Sequence, residues 1–119
     1  MRSRPEELRD RTKAFALRVI RLFRSLPYKT DTQVLGKQLL RCGTSVAANY
    51  RAVCRARSKA EFIARLGIAA EEADEAVLWL ELLIESGILK SEMTVGLLKE
   101  ARELAAILTA SRQTARKAA

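Results

Sequence analysis

The chain predicts an all-α fold, an antiparallel up-and-down four-helix bundle, on three observations. Its 119 residues include only two prolines and five glycines, while Ala, Leu, Arg and Glu dominate, so nearly every window favours helix. Apolar residues recur at steps of three and four along four separate segments, which is the period of a buried helix face. The connections between segments run to about three to five residues, which makes consecutive helices antiparallel neighbours. One domain over residues 1–119 is expected, long enough to bury a core without metals or disulfides.

The first helix is expected from about Pro5 to Leu26. Pro5 suits a first turn, and Glu6, Glu7 and Asp10 oppose the positive end of the dipole. Leu8, Thr12, Phe15, Val19, Leu22 and Leu26 form its stripe, widened by Ala16, Ile20 and Phe23, with Arg18, Arg21 and Arg24 turned away. Thr30 or Thr32 is placed to cap a second helix reaching about Arg57. Its apolar face reads Leu35, Leu39, Cys42, Val46, Tyr50 and Val53, and Gly43 and Ala47 beside that face suit close approach of a neighbour.

Ser58 and Glu61 make a capping box, S-x-x-E, ahead of a third helix that ends at Ser86 and Gly87. That helix is apolar on two sides. Phe62, Leu66, Ala69, Ala73, Ala76, Leu80 and Ile84 form one stripe; Ala64, Ile68, Leu78, Trp79 and Leu82 form another, nearly opposite. Two apolar faces need two burial partners, the chain's own core and a second chain. Ser91 is placed to cap the fourth helix, whose inner face reads Met93, Leu97, Ala101, Leu104, Ala105 and Leu108. After Thr109 the pattern fades, so a frayed basic tail is expected over about 112–119.

Charge is unevenly spread. The net charge of +8 resolves into +6 over residues 1–29, +4 over 30–58, −4 over 59–90 and +2 over 91–119. A basic first half facing an acidic third helix suggests internal pairing, with a surplus for an anionic partner. On the second helix Lys37, Arg41, Thr44, Ala48, Arg51 and Arg55 recur at three and four, and no acid occurs from Gln33 to Ala60. Guanidinium groups at that spacing suit successive phosphates. Lys37, Arg41, Arg51, Arg55 and Arg57 are therefore the candidate nucleic-acid contacts; pairing with the acidic helix of another subunit and a merely solvated face are the competing readings. Aromatics make up only 5% of residues, too few for a base-stacking platform.

Histidine is absent, which removes the commonest general base and metal ligand, and no nucleotide-loop or nucleophile-elbow pattern occurs. Neither a catalytic residue nor a metal or cofactor site is expected. The acids Glu71, Glu72, Asp74 and Glu75 spread over more than half the helix circumference, so they read as a salt-bridged face. Asn49, one turn after Ser45, reads as a buried hydrogen-bonding position, and Tyr50 as core with its hydroxyl at the rim. Cys42 and Cys54, about 18 Å apart along one helix, are beyond disulfide reach and read as buried, reduced thiols of a cytoplasmic protein. No segment matches a membrane span or a signal peptide.

The segments SVAANYRA and SKAEFI, with EEADEAVLWL downstream, resemble the bacterial four-helix bundle family first noted as proteins encoded by intervening sequences within large-subunit ribosomal RNA genes. The likeness is strongest over Gln38 to Gly87. It implies a homo-oligomer, a pentameric barrel of four-helix bundles with a positively charged surface. It also implies distant kinship to the accessory variability protein of diversity-generating retroelements, which binds a reverse transcriptase and nucleic acid. Asn49, Tyr50 and Arg51 occupy the family's motif, although Tyr-Arg-Ala stands where many relatives have Ile-Ala-Glu. Ile68, Trp79 and Leu82 are the candidate subunit interface. The expected function is a non-enzymatic homo-oligomer binding RNA, ribosomal RNA or DNA through the basic second helix. The alternative is an interaction scaffold for a nucleic-acid enzyme such as a reverse transcriptase.

Overall fold

Four helices follow one another in the computed structural model, which describes residues 2–118 apart from the side chains of Ser91 and Met93. They are α1 (Arg4–Ser25), α2 (Thr30–Cys54), α3 (Lys59–Glu85) and α4 (Ser91–Lys117), with no strand among the described residues. Each helix packs against the next, α2 on α3 most extensively, and a thinner seam between α1 and α4 closes the bundle. The result is an elongated, somewhat flattened body of 49 × 28 × 19 Å.

The apolar stripes meet along the axis. Phe15 and Val19 of α1, Leu39 and Val46 of α2, Leu66, Leu80 and Leu83 of α3, and Leu104 and Leu108 of α4 are all fully buried. Each such side chain contributes roughly 1.5–3 kcal/mol by leaving water. Thr12 fits the stripe because its hydroxyl donates to the Arg9 carbonyl at 3.0 Å, so no polar group is left unpaired there. Gly43 is where α1 and α2 come closest: a Cβ on it would lie 2.8 Å from a Val19 methyl. The close approach expected at Gly43 is therefore present, and it offsets the helix-weakening effect of a mid-helix glycine.

The helix ends follow capping chemistry. Ser3 Oγ accepts the Glu6 N–H at 3.3 Å, and Ser58 Oγ accepts the Glu61 N–H at 3.0 Å. Gly87 takes φ 85°, where only glycine is comfortable, and the Leu89 N–H reaches the Leu83 carbonyl at 2.9 Å to close α3.

Several expectations need correction. Neither Thr30 nor Thr32 caps α2: Lys29 is the N-cap and makes no side-chain cap bond, while Thr32 is buried inside the first turn. α2 stops at Cys54, with Arg55 leaving helical geometry at φ −112° and ψ 12°. The chain must reverse before the Ser58 cap, and Glu61 Oε2 takes the Arg57 N–H at 3.2 Å, which holds that turn. Phe62 is exposed rather than core, and Leu83, absent from the expected stripe, is fully buried. Where a basic tail was expected from residue 112, α4 stays helical to Lys117 and Ala115 packs against the core. The expected roles of Ser91 and Met93 lie outside the described side chains.

Candidate nucleic-acid interface

The five basic residues expected to act together are all exposed, yet they do not form one ridge. Arg41 belongs to a different group. Its guanidinium donates to Glu72 Oε2 at 3.2 Å and to Glu75 Oε1 at 3.3 Å on α3. It also reaches the Cys42 sulfur at 3.3 Å. Lys37 lies further along α2, towards the opposite end of the bundle. Arg57 sits in the α2–α3 turn rather than on the helix.

Arg51 and Arg55 instead meet residues of α1. Between the two helices runs a groove of about 630 Å³ lined by Arg9, Asp10, Lys13, Ala47, Ala48, Arg51, Cys54 and Arg55. It continues into a shallower space of about 530 Å³, lined by Ala48, Arg51, Ala52, Arg55, Arg57 and Glu61. The shared residues Ala48, Arg51 and Arg55 make the two spaces continuous. Five cations thus line one trough, and the alanines between them leave it open.

Both acids at its margins are engaged: Asp10 pairs with Arg2, and Glu61 holds the Arg57 N–H. The arrangement offers guanidinium and ammonium donors on two walls, with no aromatic ring in the lining. It is suited to holding phosphate groups and has nothing to stack a base upon. Sequence reasoning passed over Arg9 and Lys13, because the α1 wall becomes visible only when Val19 is seated on Gly43.

The motif residues beside the groove are structural. Asn49 Nδ2 donates to the Ser45 carbonyl at 2.9 Å and to Ser45 Oγ at 3.0 Å, within its own helix. Tyr50 is buried, as expected of a core position, and burial raises the pKa of its hydroxyl. Cys54 lies exposed on the groove wall, contrary to the expectation of two buried thiols, whereas Cys42 is fully buried.

Cys42, Glu72 and Glu75 bring their donor atoms within 4.8 Å of one another, a spacing a metal ion could bridge. The cation lodged among them is the Arg41 guanidinium. Burial pushes the Cys42 thiol up to about 11, with Arg41 opposing that rise and the two glutamates adding to it. A thiol so hard to ionise is a poor metal ligand. The cluster ties α2 to α3 within one chain, the salt-bridged face expected of these acids.

The outer side of α3 differs sharply. Ile68, Leu78 and Leu82 remain exposed there, at 41, 47 and 39%. Trp79 does not belong with them: it is half-buried, packs against the chain's own core, and its buried Nε1 has no hydrogen-bond partner among the described residues. Its assignment to a subunit interface fails on packing, because its position on α3 turns it towards α2.

A four-helix bundle with a cationic trough along one seam and an uncovered apolar stripe on another helix defines the class. The chain belongs to the 23S rRNA-intervening sequence protein family, whose model it matches over residues 6–110. It is also similar to a crystal structure described as a protein with unknown function from the S23 ribosomal protein family from Bacteroides thetaiotaomicron VPI-5482. Identity is 33%, the TM-score is 0.86, and the match covers 93% of this chain and 99% of that one. No curated protein matches this chain. No helix among the described residues is long and apolar enough to cross a membrane.

Proposed function

We propose that the protein is a non-enzymatic helical bundle that binds the phosphate backbone of nucleic acid in the α1/α2 trough. The observation that carries this reading is the convergence of Arg9, Lys13, Arg51, Arg55 and Arg57 on one continuous groove whose two acids are already engaged. Backbone amides and carbonyls of both flanking helices are satisfied internally, so the side-chain cations are what the groove presents. The reading narrows the expected contact set: Arg51, Arg55 and Arg57 stay in it, Arg9 and Lys13 enter it, and Arg41 leaves it because Glu72 and Glu75 hold it.

Binding by such a groove is driven by charge and counterion release, with little dependence on base sequence. The test is retention of nucleic acid by the native protein across a salt titration, compared with the Arg51→Gln/Arg55→Gln variant. Retention at low salt, lost steeply as salt rises and weakened by about tenfold or more in the variant, supports the reading. Equal retention by the variant refutes the groove. An absence of nucleic acid at low salt favours an accessory subunit whose trough meets an acidic protein.

The reading includes self-assembly. Ile68, Leu78 and Leu82 form an apolar patch on the outer side of α3, where a second copy of the chain would bury it, and the family resemblance points to a pentamer.

A further inference from the structure

The trough is one strand wide. We infer that its ligand is a single phosphodiester strand, lying along α1 and α2 with its bases turned outward, rather than a duplex. This rests on the nucleic-acid reading above and narrows it.

The first argument is geometric. Packing of Val19 on Gly43 draws the two helices close, and well-packed helix axes lie roughly 8–10 Å apart. Arg9 and Lys13 on one wall, and Arg51 and Arg55 on the other, each repeat at four residues, a rise of about 6 Å. That rise is comparable to the separation of consecutive phosphates along an extended strand. Each phosphate entering the groove meets a cation from either side, over a base formed by Ala47 and Ala48.

The second argument is what surrounds the groove. A duplex laid over it carries a second backbone, and that backbone needs cations beside the first row. The surface offers acids instead. Asp10 stands at the α1 margin and Glu61 at the α2–α3 end. Beyond α2, Arg41 is tied down by Glu72 and Glu75, and α3 adds Glu71 and Asp74, both exposed. The second strand would run over negative charge. The third argument is the lining itself: with no ring in it, the groove holds the sugar-phosphate chain and leaves the bases outside.

Fluorescence anisotropy with an unstructured oligo-dT, an oligo-dA of equal length and the corresponding duplex tests this, with alkylation of Cys54 reporting occupancy of the groove. The expected result is that the single strands bind at least about tenfold tighter than the duplex, with dA and dT alike and a log–log salt slope of about −3 for four to five phosphates. Bound strand should slow Cys54 alkylation, and Arg9→Gln/Lys13→Gln should weaken binding as much as Arg51→Gln/Arg55→Gln. Duplex binding as tight as single strand overturns the inference while leaving the nucleic-acid reading intact. Single-strand binding with Cys54 unprotected overturns the inference and the groove together. No binding of any oligonucleotide overturns both readings.

Discussion

The two inner helices, α2 and α3, share the most extensive seam in the bundle, yet they turn opposite chemistries to the outside. The free surface of α2 carries arginines separated by alanines, and its shared groove with α1 holds five cations. The free surface of α3 carries Ile68, Leu78 and Leu82 among Glu71, Asp74 and Glu75. Where the two chemistries meet, they cancel: Arg41 crosses to Glu72 and Glu75. A basic helix and an acidic helix in one chain are therefore not fully consumed by each other. One ion cluster pins the seam, and what is left over on each side is the material for binding partners. The same composition spread evenly over both helices would give a mixed surface with nothing to concentrate a field.

The largest effect expected from disturbing this contrast comes from the α1/α2 seam. Gly43→Ala places a methyl group about 3 Å from three atoms of the buried, β-branched Val19 side chain, which has no free end to swing aside. Overpacking of this kind costs roughly 1–3 kcal/mol, set against about 1 kcal/mol gained in helix propensity. The net result should be a less stable protein with a wider trough, seen as a lower urea midpoint at unchanged m-value. The double variant Gly43→Ala/Val19→Ala tests the cause: it should lose less than the two single losses added together. Strict additivity would show that Gly43 is not acting through Val19.

On α3 the effect should fall on assembly and spare the fold. Ile68→Gln/Leu82→Gln alters two side chains that are about two-fifths exposed. Sedimentation or light scattering should report a smaller particle with undiminished helical circular dichroism. An unchanged mass would mean that this stripe is not where copies meet. Trp79→Gln is the informative contrast: since Trp79 packs against the chain's own core, it should lower stability rather than simply release subunits.

How much of this was legible in the sequence depended on whether one helix or two carried the signal. The four helices, their order, the Ser58 cap, the Gly87 stop and the second apolar stripe of α3 all follow from periodicity within a single segment. The α2 comb was read as one ridge because angles around one helix say nothing about its neighbours. Only packing sends Arg41 to the α3 acids and pairs Arg51 and Arg55 with Arg9 and Lys13 from α1. Trp79 was misplaced for a similar reason. It sits at the margin of its stripe, where a small rotation of the helix decides between solvent and α2. The end of α4 was missed because Ala115 alone, among Arg and Gln, gives almost no periodic signal.

The smallest effect concerns the two thiols, which separate the interior of the α2/α3 seam from the wall of the α1/α2 trough. Cys54 is exposed and should react with iodoacetamide in the native protein, whereas Cys42 should react only on unfolding. Burial has raised the Cys42 thiol from its ordinary 9.0 to about 11. Between those values the folded state keeps a proton that the unfolded chain gives up, so stability falls as pH rises. The loss should begin near pH 9 and grow towards 11; below 9 this thiol contributes no pH dependence. Lysines and tyrosines titrate in the same region, so the measurement is a difference: urea unfolding of the native protein and of Cys42→Ala, each at pH 8 and pH 10.5. The native protein should lose more stability than the variant between those two pH values. Equal losses would mean that the α2/α3 seam opens enough for Cys42 to ionise in place, and the cluster with Arg41, Glu72 and Glu75 would then be a hydrated surface feature rather than the pin between the two helices.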